Sequence, residues 1–160
     1  MTSAGAVLTE QAARLTARAD QVALCLDFDG TLSPIVPDPE AARPLEGMVK
    51  LLGRLATRFA AVALVSGRPA VPSDKGDAVR KLVASSGARS VVVAGDDLGD
   101  LAAFAAAAQL AAEGGEALRV AVASAEAPER LLAEADLVVD GPPGLRAFLK
   151  RLADRPVAPR

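Results

Sequence analysis

Two aspartates separated by one residue form the most distinctive chemical feature of the sequence. Asp27 and Asp29 lie in the segment Asp27-Phe28-Asp29-Gly30-Thr31, directly after an apolar run. A carboxylate can attack a phosphoryl group to give an acyl-phosphate that water hydrolyses, and a neighbouring carboxylate can handle the proton. The turn at Gly30 lets the two side chains diverge towards these different tasks. The pair therefore indicates phosphoryl chemistry.

Further polar residues follow other apolar runs or open a helix candidate, namely Ser66, Lys75, Asp96, Asp97 and Asp100. Crowded carboxylates repel one another without a cation, and oxygen ligands favour Mg²⁺ among the divalent ions. The hydroxyl, the ammonium and the backbone N–H groups of 28–31 and 66–68 can hold a phosphate. We expect these residues to converge on one site that uses Mg²⁺.

The elements that must position these residues are short apolar runs that alternate with helical patterns. The strand candidates are 22–26, 61–65, 91–94, 118–122 and, more weakly, 137–139. The helix candidates are 7–19, 44–58, 76–86, 99–112, 127–135 and 143–153. This alternation predicts an α/β fold, a three-layer Rossmann-like parallel sheet of about five strands that is covered on both faces. Ligands gather at the carboxyl ends of the strands in such sheets, where all the polar residues above are placed.

Several boundaries have their own signals. Pro44 suits the first turn of a helix, and Gly87 suits a helix C-terminus. The segment 142–144, Pro-Pro-Gly, predicts a break ahead of the last helix, while two further prolines predict a frayed tail at 154–160. We expect a single domain over 1–160 with an N-terminal helical extension at 1–20.

Composition excludes several classes of function. The chain has no histidine, so a His-based triad, a His-ligated zinc site and imidazole acid/base chemistry are excluded. A net charge of −2 and 2% aromatic residues argue against nucleic acid as a partner. Neither a membrane span nor a signal sequence is visible, and Cys25, the single cysteine, reads as a buried filler. These features predict a cytoplasmic protein without membrane or nucleic-acid partners.

Four segments in order resemble the motifs of the haloacid dehalogenase (HAD) superfamily. They are Leu24 to Leu32, Val65-Ser66-Gly67-Arg68, Lys75-Gly76 and the stretch Gly95 to Asp100. The Ser-Gly-Arg, Asp-Lys-Gly and Gly-Asp-Asp forms, with the ending 135–142, are similar to those of trehalose-6-phosphate phosphatases. The resemblance covers about 22–152 and implies a phosphatase of a phosphorylated small molecule, such as a sugar phosphate in trehalose biosynthesis.

The resemblance also implies a role for each matching residue. Asp27 would be the nucleophile, and Asp29 the general acid/base. Metal ligands would come from Asp27, Asp29, Asp96 and Asp97. Ser66 and Lys75 would hold the phosphoryl group, while Asp100 would orient Lys75 or a metal-bound water. Thr31, Gly67 and Arg68 would lie on the substrate side.

The sequence departs from this family between its second and third motifs. The family places a mobile cap of several dozen residues there, but Ser66 and Lys75 are only nine positions apart. We therefore expect the cap to be absent between 68 and 75, and sugar specificity to be weakened with it. Taken with the resemblance, the elements give an expected strand order of 137–119–91–22–61. The 61–65 strand would then be left at a sheet edge, which favours a homodimer through that edge.

Three readings without turnover remain open. A capless pseudo-phosphatase would keep the motifs and act as a binding or regulatory module. A phospho-receiver domain uses a similar Asp, Ser/Thr and Lys set, but its acceptor aspartate follows the third strand. A structural remnant would bind a partner through the open edge.

Overall fold

A parallel sheet of five strands lies at the centre of the computed structural model, which describes residues 3–66 and 74–156. The strands β1 to β5 are Val22–Leu26, Ala61–Leu64, Ser90–Gly95, Glu116–Ala123 and Leu137–Asp140. Their order across the sheet is β2-β1-β3-β4-β5. The predicted fold and strand order are confirmed, with β2 and β5 at the two edges.

Six α-helices cover the two faces of the sheet in the described part of the chain. Helices α1 to α6 are Ser3–Ala17, Met48–Ala56, Lys75–Ser86, Leu101–Ala112, Glu129–Glu134 and Gly141–Asp154. Short 3-10 turns lie at Ala19–Gln21, Pro39–Ala41 and Leu98–Asp100.

The sheet is buried on both faces because its central strands alternate between two apolar cores. On β1, Leu24 and Leu26 pack into the core beneath α1, α2 and α6. The intervening Ala23 and Cys25 pack into the core beneath α3, α4 and α5. Burial raises the pKa of the Cys25 thiol to about 12, so this cysteine is an inert filler as predicted. The two cores hold β1 rigidly, and the turn after it carries the acidic pair.

The N-terminal segment packs onto the domain. Ala12 and Leu15 of α1 are buried in the same core as α6, and α1 contacts α6 directly. The segment 1–20, expected as an extension, therefore contributes to the main core through α1. In the described ranges no helix is long and apolar enough to cross a membrane.

Of the three helix-boundary signals in the sequence, two differ from the structure and one agrees. Helix α2 begins at Met48, four residues beyond Pro44, because Gly47 before it adopts a left-handed conformation with φ of +77°. Pro142 and Pro143 lie inside the first turn of α6, where a missing N–H costs no helical hydrogen bond. Gly87 ends α3 in a left-handed conformation, as predicted. Of the predicted tail, 154–160, the last four residues lie outside the described ranges.

Candidate active site

The turn after β1 presents the acidic pair at the carboxyl end of the sheet. The Asp27 amide still pairs with the Ala94 carbonyl of β3 at 2.9 Å, so its position is fixed by the sheet. The Phe28 carbonyl then accepts hydrogen bonds from the amides of Leu32 and Ser33 at 2.9 and 3.0 Å. This turn leaves Asp27 only 7% exposed.

Glycines in two turns make room for carboxylates of the site. Gly30 has a φ of +77°, and a Cβ built on it would lie 1.9 Å from Oδ2 of Asp96. A Cβ on Gly95 would lie 2.1 Å from Cγ of Asp100. Each glycine therefore lets a carboxylate pack against backbone. This packing role was missed by the sequence analysis, although the Asp-Gly and Gly-Asp pairs were visible.

The Thr31 hydroxyl contacts two of the acidic residues. Its hydroxyl lies 3.2 Å from Oδ2 of Asp27 and 3.3 Å from Oδ1 of Asp96, and the residue is fully buried. One hydroxyl proton can be donated to only one carboxylate at a time, so the second contact is satisfied when a carboxyl is protonated. These contacts let Thr31 position the two carboxylates, and its expected place on the substrate side stays a prediction.

Lys75 is the cation of the site, and helix α3 delivers it. The lysine is the first residue of α3, which is capped by the Asp74 carboxylate accepting from the Gly76 amide at 2.8 Å. Its Nζ lies 2.9 Å from Oδ1 of Asp27 and 2.7 Å from Oδ1 of Asp100. Burial lowers the pKa of Lys75, but the hydrogen bonds and charges of Asp100 and Asp27 outweigh it and raise the pKa. The ammonium is therefore firmly protonated.

Asp100 holds the lysine in place. While its Oδ1 accepts from Lys75, its Oδ2 accepts from the backbone amides of Asp96 and Asp97 at 3.0 and 3.1 Å. Burial and the charge of Asp27 raise the pKa of Asp100 to about 6, against the opposing contact with Lys75. Both carboxylate oxygens are engaged by the protein, which suits a positioning residue.

Three buried carboxylates form a candidate metal centre. Each of Asp27, Asp96 and Asp100 offers an oxygen, and these oxygens lie within 4.8 Å of one another. Burial, followed by the charge of Asp27, raises the pKa of Asp96 to about 7. Among the described residues Lys75 is the cation that contacts the cluster, so within them three ionised carboxylates would carry two uncompensated negative charges. A divalent cation fits this surplus, and Asp27 and Asp96 suit it better than Asp100, whose oxygens are already bonded.

The remaining predicted residues lie around this cluster or outside the described ranges. Asp29 is half-buried, and its carboxylate is not part of the acidic cluster found among the described residues. Asp97 is exposed, and its carboxylate caps the next turn by accepting from the Gly99 amide at 2.8 Å. Ser66 is half-buried and follows Val65, whose amide donates to Leu26 at 2.9 Å, which brings it beside the end of β1. The predicted residues Gly67 and Arg68 lie outside the described part of the chain.

The sequence is similar to trehalose-phosphate phosphatases in its first half. Residues 25–74 match the family described as trehalose-phosphatase. The trehalose-phosphate phosphatase of Mycobacterium leprae is 47% identical over 68 residues, which are 42% of this chain and 14% of that protein. That of Mycobacterium avium is 59% identical over 46 residues, 29% of this chain and 12% of that protein. Trehalose 6-phosphate phosphatase RA3 of Zea mays is 48% identical over 52 residues, 32% of this chain and 14% of that protein. The chain thus matches only about an eighth of the length of these relatives.

The fold is similar to solved structures over most of the chain. Trehalose-6-phosphate phosphatase of Aspergillus fumigatus superimposes with a TM-score of 0.69 at 16% identity, covering 93% of this chain and 97% of that one. A trehalose-6-phosphate phosphatase related protein gives a TM-score of 0.60 at 17% identity, covering 82% of this chain and 96% of that one. The resemblance to trehalose-phosphate phosphatases is therefore confirmed in the sequence of residues 25–74, and the fold of the chain is similar to that of solved trehalose-6-phosphate phosphatases.

Proposed function

We propose that the chain is a Mg²⁺-dependent phosphomonoester hydrolase that acts through an aspartyl-phosphate on Asp27. The observation that carries the proposal is the contact of Lys75 Nζ with Asp27 Oδ1 at 2.9 Å, inside a buried cluster of three carboxylates. An ammonium beside the nucleophile offers a hydrogen-bonding and charge partner to an arriving phosphoryl oxygen.

The acidic cluster supports a metal requirement. Asp27 and Asp96 would hold Mg²⁺, with the backbone carbonyl of Asp29 as a further oxygen ligand. The exposed Asp97 caps a turn, so it would act from outside the ligand set. When bound, the ion would offset the surplus negative charge and polarise the phosphoryl group.

Each step of the hydrolysis is assigned to a residue of this chain. Asp27 attacks the phosphorus and forms the acyl-phosphate, while Asp29 gives a proton to the leaving oxygen and later takes one from the attacking water. Lys75 and Ser66 hold the phosphoryl oxygens through both halves of the reaction. Asp100 keeps Lys75 in position through the 2.7 Å contact. Gly67 and Arg68 would contribute on the substrate side.

The substrate is proposed to be a phosphorylated small molecule with few contacts beyond its phosphate. The relatives named above carry trehalose phosphate in their names. Only eight residues separate Ser66 from Lys75 in this chain, too few for a cap. Binding energy from a sugar far from phosphorus would therefore be small, so trehalose 6-phosphate is expected to react more slowly than a simple aryl phosphate.

Phosphate release from p-nitrophenyl phosphate tests this proposal. We expect turnover that requires Mg²⁺, stops on addition of EDTA and is abolished by Asp27→Asn. Asp77→Asn is a matched control, because Asp77 lies on α3 in an exposed ion pair with Lys81; it should retain full activity. Turnover that survives Asp27→Asn would contradict the assignment of the nucleophile. Equal rates on trehalose 6-phosphate and the aryl phosphate would contradict the substrate proposal.

A second candidate function is a binding module without turnover. The observation that favours it is that both oxygens of Asp27 are already engaged, Oδ1 by Lys75 and Oδ2 by Thr31. A carboxylate held this way can serve as a fixed part of a metal and phosphate site. A folded protein that binds Mg²⁺ and a phosphate mimic such as beryllofluoride, but releases no phosphate, would support this function over hydrolysis. Retention of label after a phosphodonor pulse would indicate a receiver-like role.

A further inference from the structure

A groove of about 500 Å³ lies between helices α2 and α6, which pack side by side on one face of the sheet. Its apolar lining includes Leu51, Pro143 and Ala147. None of the residues that line it belongs to the acidic cluster. The volume is in the range of small-molecule sites in proteins.

The charged lining of this groove is basic. Lys50 and Arg54 line it from α2, Arg146 and Lys150 line it from α6, and Glu46 is the single acid in the lining. On each helix the two basic residues are four positions apart, so they lie one above the other on the same helix face. The whole chain has a net charge of −2. A concentration of four cations in one groove therefore runs against the charge of the molecule.

Among the described residues, a carboxylate pairs with these cations at one end of the groove. Asp154 pairs with Arg54 at 2.7 Å and with Lys150 at 2.5 Å. At the other end, Arg146 donates to the backbone carbonyl of Glu46 at 3.0 Å and has no carboxylate partner among the described residues. Lys50 also has no ion pair within the described ranges. These two side chains are exposed and face the groove without an anion to balance them.

We propose that the groove binds a phosphorylated small molecule carrying at least two negative charges. Lys50 and Arg146 would contact the phosphate groups, since a guanidinium and an ammonium are the side chains that pair best with phosphate oxygens. Leu51, Pro143 and Ala147 would contact an apolar part of the same molecule. The site is separate from the acidic cluster and does not depend on hydrolysis there.

Binding of sodium pyrophosphate in EDTA tests the proposal. Without metal, the three buried carboxylates repel an anion, so binding under these conditions reports the groove. Isothermal titration calorimetry should show saturable binding of pyrophosphate with a dissociation constant below about 10 mM. Sulfate should bind more weakly. Amide shifts in ¹H–¹⁵N spectra should be largest in α2 and α6.

The double substitution Lys50→Gln and Arg146→Gln should weaken pyrophosphate binding at least tenfold. Arg151→Gln is the matched control, because Arg151 is exposed on α6 but does not line the groove; it should change the affinity less than twofold. Equal loss in both variants would show a diffuse charge effect and overturn the proposal. So would shifts centred on residues 27–31 and 96–100, or no saturable binding in the intact protein.

Discussion

Replacement of Lys75 by methionine gives the sharpest test of the site's electrostatics. The substitution keeps much of the side-chain length and removes the ammonium that contacts Asp27 and Asp100. Three buried carboxylates would then face one another without their protein cation. We expect a large loss of folding stability in the absence of metal.

The magnitude follows from the burial of the ion pairs. The side chains of Lys75, Asp27 and Asp100 are only 8%, 8% and 2% exposed, so solvent screens their charges little. Removing one partner from a buried pair typically costs about 3–5 kcal/mol of unfolding free energy, because the other charge stays buried without compensation. Lys81 on the same helix forms a pair with Asp77 at 2.7 Å, but it is 78% exposed. Lys81→Met should therefore cost less than about 1 kcal/mol.

Urea unfolding of the two variants measures this difference directly. In EDTA at pH 8, Lys75→Met should lose the whole of this unfolding free energy. In a separate experiment without EDTA, saturating Mg²⁺ should restore part of it. At pH 5 the loss should be smaller, because raised pKa values let Asp96 and Asp100 take up protons. A Lys75→Met protein as stable as Lys81→Met in EDTA at pH 8 would refute the reasoning. Equal losses at pH 5 and pH 8 would refute the role of carboxylate repulsion.

Three further predictions follow from the same geometry. Gly30→Ala should abolish activity and cost about 1–3 kcal/mol more unfolding free energy than Gly47→Ala. Both glycines have a φ of +77°, but only Gly30 lies against a carboxylate. Equal losses of stability in urea unfolding would contradict this crowding. The folded state raises the pKa of Asp96 from 3.8 to about 7 and so holds a proton that the unfolded chain has lost. Calorimetric stability without metal should therefore fall as the pH rises through this interval, and Mg²⁺ should remove the dependence; a flat profile in EDTA would contradict it. If the edge strand β2 pairs two copies of the chain, Leu64→Lys, at a side chain 52% exposed on that strand, should convert a dimer to a monomer in analytical ultracentrifugation; a monomeric parent protein would contradict pairing.

The fold was predictable because its signals are local and repeated. The run 22–26 was predicted with the bounds that the structure shows, and the alternation of strands with helical patterns indicated a parallel sheet. The order of its strands was expected with the help of the family resemblance, and the structure confirms it. Helix starts were less predictable. Pro44 is permitted in a first turn, but the Leu45 amide bonds to the Leu32 carbonyl and Gly47 is left-handed, so α2 begins only at Met48. No local pattern shows such a long-range bond.

The site was predictable in its membership but less so in its internal contacts. The strand ends that carry Asp27 and Asp100, together with the family resemblance, led us to expect them near Lys75, and the structure brings the three within hydrogen-bonding distance. The burial of Thr31 and the close approach of Asp96 to Gly30 depend on how two loops from different strands meet. Thr31 and Asp96 are 65 residues apart in the chain and meet only in the tertiary structure. Sequence spacing alone therefore does not indicate their contact.

Lys75 reaches the acidic residues because α3 is packed against the rest of the domain. This packing bears on which parts of the chain can be replaced. The helix begins at the lysine, buries Val79 in the core beneath α4, and brings Gly76 so close to Ala102 that a Cβ there would lie 2.6 Å from its carbonyl oxygen. The register of the lysine is therefore set by the helix, and the chain between Ser66 and Asp74 need only span the gap. Doubling such a connection costs only about 0.6 kcal/mol in closure entropy. A substrate-binding domain could therefore be inserted or exchanged between Ser66 and Asp74 without changing the positions of the three clustered carboxylates.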